Sequence, residues 1–410
     1  MSSSTEDFPP ARASSAPPPR AGARAIGHRP RMSRFVRVLM TLTAIAQLAP
    51  AFAVSHVAAR LGVTHGWVLG VTVFVVGTGL FVGRARAGAA DHHRSAWLSW
   101  GVDVPYFVHW CASLGATLAS AVVLLISPLV DLARAAPLHF PADGVAIAYG
   151  CALLLCGYGV VVRRRRFVTR RVEIAVEGLD AAFDGYRIVH LSDLHIGSLT
   201  PRSWGMRWVR RANELAADLA VVTGDMVTSG TEFHGDIADL LGELRAKDGV
   251  VVSMGNHDYF GDGEPLVSLL SARGVRVMRN EGDFLRRGER NVYLAAIDDT
   301  WTRRADLDAA LAGRPPATPT ILLAHDPDSF RAAAKRGVDL VLSGHTHGGQ
   351  IAVPFFAAHV NLSKLSHHYH LGIYRRGKST LYVHPGLGTT GPPIRLGVAP
   401  AVVEITLRRG

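Results

Sequence analysis

The first 170 residues alternate between apolar and basic stretches. Four apolar segments have about the length that an α-helix needs to cross a bilayer, which is ~20 residues. They are residues 35–54, 66–83, 106–126 and 144–162. The first is the weakest because it contains Arg37, Gln47 and Pro50, and the third contains His109, which favours a helix–helix hydrogen bond over a proton relay. Four such segments predict transmembrane helices rather than buried helices of a soluble protein.

Arginines between these segments predict how the membrane region is oriented. The loops after the second and fourth segments carry three and four arginines, whereas the loops after the first and third carry one each. The positive-inside rule then places both termini in the cytoplasm and predicts a multi-pass protein of the inner or plasma membrane. We expect Arg163–Arg166 to lie against anionic headgroups. Ala51-Phe52-Ala53 is similar to a signal-peptidase site, and cleavage there would leave three spans with Arg163 onward still inside.

From Arg171 onward the pattern changes to short apolar runs that end in polar clusters. Six runs are typical of buried strands: 187–191, 219–222, 250–254, 292–297, 320–323 and 340–342. Helical stretches lie between several of them, at 204–217, 237–246 and 329–335. Buried strands that alternate with helices predict a layered α/β domain.

Charge and cysteine content narrow the chemistry of this C-terminal part. The 410-residue chain has a formal charge of +11, yet from Arg171 onward 27 Lys+Arg balance 27 Asp+Glu. The basic excess therefore belongs to the membrane-proximal part, and no nucleic-acid binding is expected. All three cysteines lie in apolar stretches before residue 163, which excludes thiolate ligands from the C-terminal half. Residues 1–33 are rich in Ser, Pro, Ala and Arg and are predicted to be disordered.

Polar side chains follow five of the predicted strands at the point where each strand ends. The clusters are Ser192-Asp193-Leu194-His195, Thr223-Gly224-Asp225, Gly255-Asn256-His257-Asp258, Ala324-His325-Asp326-Pro327 and Gly344-His345-Thr346-His347. Ligands of α/β sheets bind outside the carboxyl ends of the strands. A single such cluster is more often a turn or a helix cap, but five together predict one shared site.

The stretch GHTHGGQ, residues 344–350, indicates what this site binds. Residues two apart on an extended chain point to the same side, so His345 and His347 can face one pocket. Imidazole suits zinc, iron and similar ions. The glycines allow sharp turns and close approach of the backbone. The alternative for one isolated pair of histidines is an exposed polar turn.

Taken together, these motifs resemble the calcineurin-like metallophosphoesterases in order and approximate spacing, over about residues 185–405. The tail Gly386-Leu387-Gly388-Thr389-Thr390-Gly391-Pro392-Pro393-Ile394-Arg395 resembles the bacterial membrane-linked YkuE/YaeI-like branch. The apolar segments predict an N-terminal α-helical transmembrane region, and the resemblance implies that an α/β metallophosphoesterase domain of two packed β-sheets flanked by helices follows it. The expected divisions are a tail at 1–33, a membrane domain at 34–162, a basic linker at 163–170 and the metallophosphoesterase domain at 171–410.

The same resemblance implies a site for two divalent metal ions. Asp193, His195 and His347 would hold the first ion. Asn256, His325 and His345 would hold the second, and Asp225 would bridge both. Nitrogen and oxygen ligands of this kind allow Mn, Fe, Zn or Co.

The implied activity is hydrolysis of a phosphomonoester or a phosphodiester. Hydroxide held between the two ions would attack phosphorus, with Asn256 and His257 beside the substrate. His257 would give a proton to the leaving group, and Asp258 would fix the tautomer of His257. The membrane anchor favours a lipid-linked substrate. The alternatives are a catalytically silent metal- and phosphate-binding membrane scaffold or sensor, and a transporter with a regulatory domain.

Other polar residues of the C-terminal half carry less weight. A second histidine cluster, His367, His368 and His370, is more consistent with an exposed loop than with a substrate contact. His384 stands at a strand end and could approach the site. Asp298-Asp299 is typical of a turn, and Arg395 is expected either to meet a phosphate or to form a surface ion pair.

Overall fold

The computed structural model describes residues 34–87, 91–134, 140–353, 356–357 and 359–410. The N-terminal tail that the composition predicts to be disordered lies outside these residues. The described chain divides into a helical N-terminal part and a C-terminal part built on two β-sheets.

The N-terminal part consists of long apolar helices. Helices α1 (Arg34–Ala46) and α2 (Leu48–Arg60) run on from each other, and α3 spans Gly66–Ala87. A short helix α4 (Ala96–Leu98) leads through one turn into α5 (Val104–Arg134), and α6 spans Phe140–Gly157. Four stretches are long and apolar enough to cross a membrane: 36–60, 66–85, 96–130 and 141–165. The predicted set of four apolar helical segments is therefore confirmed for the described residues.

Polar side chains between these helices bond to one another. The ring of His109 on α5 reaches the Tyr149 hydroxyl on α6 at 2.8 Å and the Gln47 side-chain oxygen at 2.8 Å. Trp110 donates its indole N–H to the Thr43 hydroxyl on α1. His109 thus makes the helix–helix hydrogen bonds that its position favoured.

Twelve strands of the described residues form two six-stranded sheets. The strands are β1 (Val168–Val176), β2 (Arg187–Leu191), β3 (Leu219–Thr223), β4 (Val250–Ser253), β5 (Arg276–Val277), β6 (Glu281–Arg287), β7 (Arg290–Ala296), β8 (Thr320–Leu323), β9 (Leu340–Ser343), β10 (Gly372–Arg376), β11 (Ser379–Val383) and β12 (Ala401–Arg409). The first sheet has the order β1-β12-β2-β3-β4-β5, and the second has the order β10-β11-β9-β8-β7-β6. The neighbours β2, β3 and β4 are parallel, as are β7, β8, β9 and β11. The sheets begin at Val168, three residues before the predicted boundary.

Inner strands such as β3 and β9 are almost continuously apolar because both faces of the sheet are covered there. Side chains such as Ile188, Val221 and Leu342 fill the core between the two sheets. The opposite face of the first sheet is covered by α7 (Arg202–Glu214), α8 (His234–Leu241) and α9 (Glu264–Ser271). The second sheet is covered by α10 (Leu307–Leu311) and α11 (Phe330–Lys335). This arrangement confirms the predicted fold of two packed sheets flanked by helices.

The sheet domain packs directly on the ends of the membrane helices. Val160 from the fourth apolar stretch and Ile394 from the domain are both buried in one cluster with side chains of α3 and α5. Arg164 is buried and donates to the Leu199 carbonyl, and the guanidinium of Arg165 stacks 3.9 Å above the Trp100 ring. The expectation that the whole arginine quartet faces lipid headgroups is therefore wrong for Arg164, which joins the two parts of the protein.

Candidate metal centre

Strand ends from both sheets meet at one edge of the domain. Because β2, β3 and β4 are parallel, the residues that follow them lie side by side. These are Asp193 and His195 after β2, Asp225 after β3, and Asn256 to Asp258 after β4. The second sheet adds His325 after β8, and His345 and His347 after β9. The structure thus brings together all nine residues that the sequence predicted for the site.

The backbone at these strand ends is strained. Five of the nine residues adopt a left-handed conformation with positive φ, which is uncommon for residues other than glycine. They are Asp193 (53°), His195 (44°), Asp225 (53°), His345 (71°) and His347 (52°). Strain of this kind persists only where the surrounding structure enforces it and is concentrated at functional sites.

Asp193, His195 and His347 form the first group of side chains. The Nε2 atoms of His195 and His347 lie 3.0 Å apart, and Nε2 of His347 lies 3.3 Å from Oδ1 of Asp193. The other carboxylate oxygen of Asp193 is buried and has no hydrogen-bond partner among the described residues. Two nitrogens bound at ~2.1 Å to one ion in neighbouring positions would be separated by about this distance.

Asp225, His325 and His345 form a second group of the same kind. Nε2 of His325 lies 3.1 Å from Oδ2 of Asp225 and 3.3 Å from Nδ1 of His345. Oδ2 of Asp225 also lies 3.6 Å from Nε2 of His195, so this carboxylate stands between the two groups. The side-chain oxygen of Asn256 is buried and finds no partner in the described part of the chain. Each group of three offers ligand atoms within 4.8 Å of one another.

Backbone carbonyls orient two of the imidazoles. Nδ1 of His325 donates to the Thr223 carbonyl at 2.7 Å, which leaves Nε2 facing Asp225. Nδ1 of His257 donates to the Thr228 carbonyl at 2.6 Å. Histidine ligands of metals are usually held in this way through the second ring nitrogen.

The close packing of these groups depends on a glycine. A Cβ atom added at Gly344 would overlap the Ser192 hydroxyl and the Asp193 carboxylate. The backbone N–H of His345 donates to Oδ1 of Asp193 at 2.9 Å, which joins the two sheets at this point. Glycine is therefore required where the strand end passes the carboxylate.

Burial and charge keep most of the imidazoles neutral. Burial lowers the pKa of His195 and of His347 well below the ordinary value, and lowers that of His345 to about 4. Burial also lowers the pKa of His325, but the Asp225 carboxylate outweighs it and raises that pKa to about 10. Burial raises the pKa of Asp193 to about 7, with a further contribution from Asp225. Neutral imidazoles and unpaired carboxylate oxygens that share a buried site fit divalent cations, which would offset the gathered negative charge.

Asp258 has a different position from the one that its predicted role requires. Its Oδ2 accepts hydrogen bonds from the backbone N–H groups of Gly255 and Asp225, and its Oδ1 accepts from those of Met226 and Val227. The tautomer of His257 is fixed by the Thr228 carbonyl instead. The prediction that Asp258 sets this tautomer is corrected: the carboxylate ties the end of β3 to the end of β4.

Arg395 lies in the interior of the domain, away from solvent. It is fully buried, and its guanidinium donates to the Pro385 carbonyl at 2.7 Å and to the Gly388 carbonyl at 2.6 Å. Nη2 also lies 3.2 Å from Nδ1 of His347. The expected surface ion pair is therefore wrong, because Arg395 closes the loop after β11 against a candidate metal ligand.

The remaining histidines and the acidic pair Asp298-Asp299 differ in whether they contact a candidate metal ligand. His384 is buried behind the site, where its Nδ1 accepts from the Gly386 N–H and its ring lies 4.8 Å from that of His190. The ring of His367 lies 5.2 Å from that of His345, so this residue reaches the site, whereas His368 is exposed. Asp298 accepts from the Tyr259 hydroxyl at 2.6 Å and from the N–H of Asp299, as in the predicted turn.

Residues around the opening escaped the sequence-based prediction. The hydroxyl of Thr390 lies 3.3 Å from Nε2 of His257, and the exposed ring of Phe260 lies 4.4 Å from the ring of His257. The exposed ring of Trp301 lies 5.2 Å from that of His345. Thr390 lies within the glycine-rich tail motif, which is a usable signal. Phe260 and Trp301 have no such signal because they lie in loops.

Comparisons with known proteins agree with this geometry. The profile of the Calcineurin-like phosphoesterase family matches residues 186–349. A zebrafish (Danio rerio) protein named transmembrane protein with metallophosphoesterase domain is 35% identical over 270 residues, which cover 62% of this chain and 61% of that protein. The bovine (Bos taurus) protein of the same name is 33% identical over 254 residues, which cover 58% of this chain and 56% of that protein. The match thus spans less than two thirds of either vertebrate relative.

A bacterial relative is matched over nearly its whole length. The uncharacterized metallophosphoesterase YkuE of Bacillus subtilis is 31% identical over 269 residues, which cover 64% of this chain and 94% of YkuE. Among solved structures, an archaeal phosphodiesterase covers 49% of this chain with 15% identity and a TM-score of 0.28, so it adds no further argument. With the strand-end motifs gathered at one edge of two packed sheets, these matches show that the chain belongs to the calcineurin-like metallophosphoesterase family.

Proposed function

We propose that the protein is a membrane-anchored phosphoesterase whose site holds two divalent metal ions. The observation that carries the proposal is the pair of ligand groups that adjoin at Asp225, whose carboxylate belongs to the second group and lies 3.6 Å from Nε2 of His195 in the first. Asp193, His195 and His347 would hold one ion, and Asn256, His325 and His345 would hold the other. Two ions near each other repel, and a shared carboxylate reduces that repulsion.

Bound divalent ions supply Lewis acidity: they activate water near neutral pH and offset charge on phosphate oxygens. The chain's own groups would complete the reaction. His257 is half-buried at the opening, and its Nδ1 donates to the Thr228 carbonyl. This leaves Nε2, which lies 3.3 Å from the Thr390 hydroxyl, as the nitrogen that would meet a substrate. From there Nε2 can stabilise the leaving oxygen or deliver a proton to it. Asn256, beside it, would orient a phosphate oxygen.

We propose that the ester is held by a lipid-linked molecule of the same membrane. The support is the direct packing of the domain on the membrane helices, which would bring the site near the bilayer surface. The arginine pattern supports a multi-pass topology with the domain on the cytoplasmic side. We propose the division into a membrane domain at 34–162, a linker at 163–170 and a metallophosphoesterase domain from 171 onward, with strand β1 beginning at Val168 within the linker. Protease accessibility in right-side-out and inverted vesicles tests the orientation.

The test of the phosphoesterase activity uses the full-length protein in detergent with Mn²⁺, because the domain packs on the helices. Hydrolysis of p-nitrophenyl phosphate and of bis(p-nitrophenyl) phosphate would be measured for the wild type, Asp225→Ala and His257→Ala. We expect Asp225→Ala to lose bound metal and turnover together, and His257→Ala to lose mainly turnover. Bound metal without turnover on either ester would favour the alternative, a catalytically silent scaffold that binds metal and phosphate.

A further inference from the structure

A loop directly after the GHTHGGQ stretch exposes an unusual number of large apolar side chains. We name the described residues 351–353, 356–357 and 359–366 the apolar loop. Among the described residues of the sheet domain, nine large apolar side chains are exposed, and five of them lie in this loop. They are Val353, Phe356, Val360, Leu362 and Leu365, of which Phe356 is 60% and Leu365 87% exposed. Concentrated apolar exposure marks a surface that binds an apolar partner.

The backbone of the apolar loop is largely hydrogen-bonded within the loop itself. Ala352 and Asn361 form an antiparallel bridge, and the N–H of Val353 donates to the Val360 carbonyl at 3.0 Å. The N–H of Val360 donates in turn to the Phe356 carbonyl at 2.8 Å. The side-chain oxygen of Asn361 accepts from the N–H of Lys364. A backbone whose polar groups are paired locally can enter an apolar environment at low cost.

The base of the apolar loop is continuous with the membrane helices. Ile351 packs against the cluster that contains Val160 and Ile394, and it pairs with Leu396 in an isolated bridge. Trp97, at the start of the third apolar stretch, is 73% exposed, and tryptophans are enriched at the interfacial depth of membranes. The base of the apolar loop therefore lies against the ends of the membrane helices, which favours the bilayer as the partner of its exposed side chains.

The far end of the apolar loop returns to the metal centre. The N–H of His367, just after the loop, donates to the Ser363 carbonyl at 2.8 Å, and the ring of His367 lies 5.2 Å from that of His345. The exposed ring of Trp301 also lies 5.2 Å from that of His345. The apolar loop thus leads from the cluster at the ends of the membrane helices to a histidine beside the opening of the site.

From these contacts we infer that the apolar loop inserts into the interface of the adjacent leaflet and guides a lipid phosphoester to the site. The occupant of this surface is the bilayer itself. Insertion is independent of the proposed function, whereas delivery of a lipid substrate rests on it. Lys364, whose ammonium group is exposed, would remain at the level of the headgroups.

Depth measurement in lipid nanodiscs tests insertion without any activity. Cys111, Cys151 and Cys156 would be replaced by alanine in the full chain, and an NBD fluorophore attached at Leu365→Cys. The matched control is Glu289→Cys, an exposed position in the turn before β7, at the end of that strand opposite to the site. We expect doxyl-labelled lipids to quench the label at position 365 and not the label at 289. A label at 365 that stays in water, or that is shielded but not quenched by the lipids, overturns insertion.

Activity in the same nanodiscs tests delivery. Phosphatidic acid and phosphatidylglycerol would present a lipid monoester and a lipid diester, and bis(p-nitrophenyl) phosphate would serve as the soluble ester. We expect Phe356→Ser/Leu365→Ser to lower lipid hydrolysis by about tenfold or more, with soluble hydrolysis unchanged. The control Ile373→Ser, an exposed apolar position on β10, should change neither.

The outcomes separate the two proposals. Equal falls on lipid and soluble esters, or cleavage of the soluble ester alone by the wild type, would overturn delivery while leaving the phosphoesterase function intact. A wild type that cleaves no ester while holding metal would instead refute the proposed function. In that case the quenching result alone decides whether the apolar loop inserts.

Discussion

Replacing Asp258 by asparagine separates two roles for this carboxylate. In the structure its two oxygens accept four backbone hydrogen bonds, two each, from residues at the ends of β3 and β4. An asparagine has only one acceptor oxygen. In either orientation of the amide, its NH₂ group would face two backbone N–H donors.

The cost of Asp258→Asn follows from that count. Two hydrogen bonds are lost, and two buried N–H groups are left without a partner. Each unpaired N–H group costs about 1–3 kcal/mol, so the free energy of unfolding of the domain should fall by about 2–6 kcal/mol. For a domain of this size such a loss lowers the melting temperature by at least about 4 °C. The affected N–H groups belong to Asp225 and Gly255 in one orientation of the amide and to Met226 and Val227 in the other. In both cases the backbone at or directly after Asp225 loses a partner, so metal binding should weaken as well.

The assay is thermal unfolding of the full-length protein in detergent, together with metal content after equilibration with Mn²⁺. The matched control is Asp298→Asn, since Asp298 is also a buried acid at a strand end but lies outside the two ligand groups. The Asp298→Asn variant should keep its bound metal. If Asp258→Asn melts like the wild type, keeps its metal and loses only turnover, Asp258 acts on His257 and the bracing role is refuted.

Three further substitutions follow from the contacts around the site. Gly344→Ala should lower the free energy of unfolding by about 1–3 kcal/mol and release bound metal, because the new methyl group overlaps the Asp193 carboxylate. A metal content equal to that of the wild type would contradict this. Lysine in Arg395→Lys cannot reproduce the guanidinium contacts that hold the loop beside His347. The Mn²⁺ affinity measured by titration should therefore fall about 10–100-fold, and an unchanged affinity would show that the contact is incidental. Asp91, which lies between α3 and α4, accepts a hydrogen bond at 2.9 Å from the backbone N–H of Ser198, three residues after His195. Asp91→Ala should lower turnover about two- to tenfold at unchanged metal content, and equal kcat values would count against coupling between the helices and the site.

The strand ends were predictable because their signal is local. Buried parallel strands are apolar throughout, so a polar residue directly after such a run stands out, as Asp225 does after β3. The parallel arrangement then places these residues together without further information. The four apolar helices were predictable for a similar reason, since length and hydropathy are read directly from the sequence.

Residues whose role depends on distant contacts were not predictable. Strand β1 pairs with β12, more than 200 residues away, and alternates polar and apolar residues as an edge strand does. Arg395 carries no mark of burial in its sequence neighbourhood, because its partners are carbonyls and a histidine supplied by tertiary packing. The same holds for Asp258, whose four donors come from two strand ends. Sequence neighbours suggested His257 as its partner, whereas the fold supplied others.

Anomalous X-ray diffraction from crystals of the Mn²⁺-loaded full-length protein would show directly how many metal ions the site holds. We expect two anomalous peaks ~3.5–4 Å apart, one beside Asp193, His195 and His347 and the other beside Asn256, His325 and His345, with the Asp225 carboxylate between them. A single peak, or none, in a folded protein at saturating Mn²⁺ would contradict a site for two metal ions.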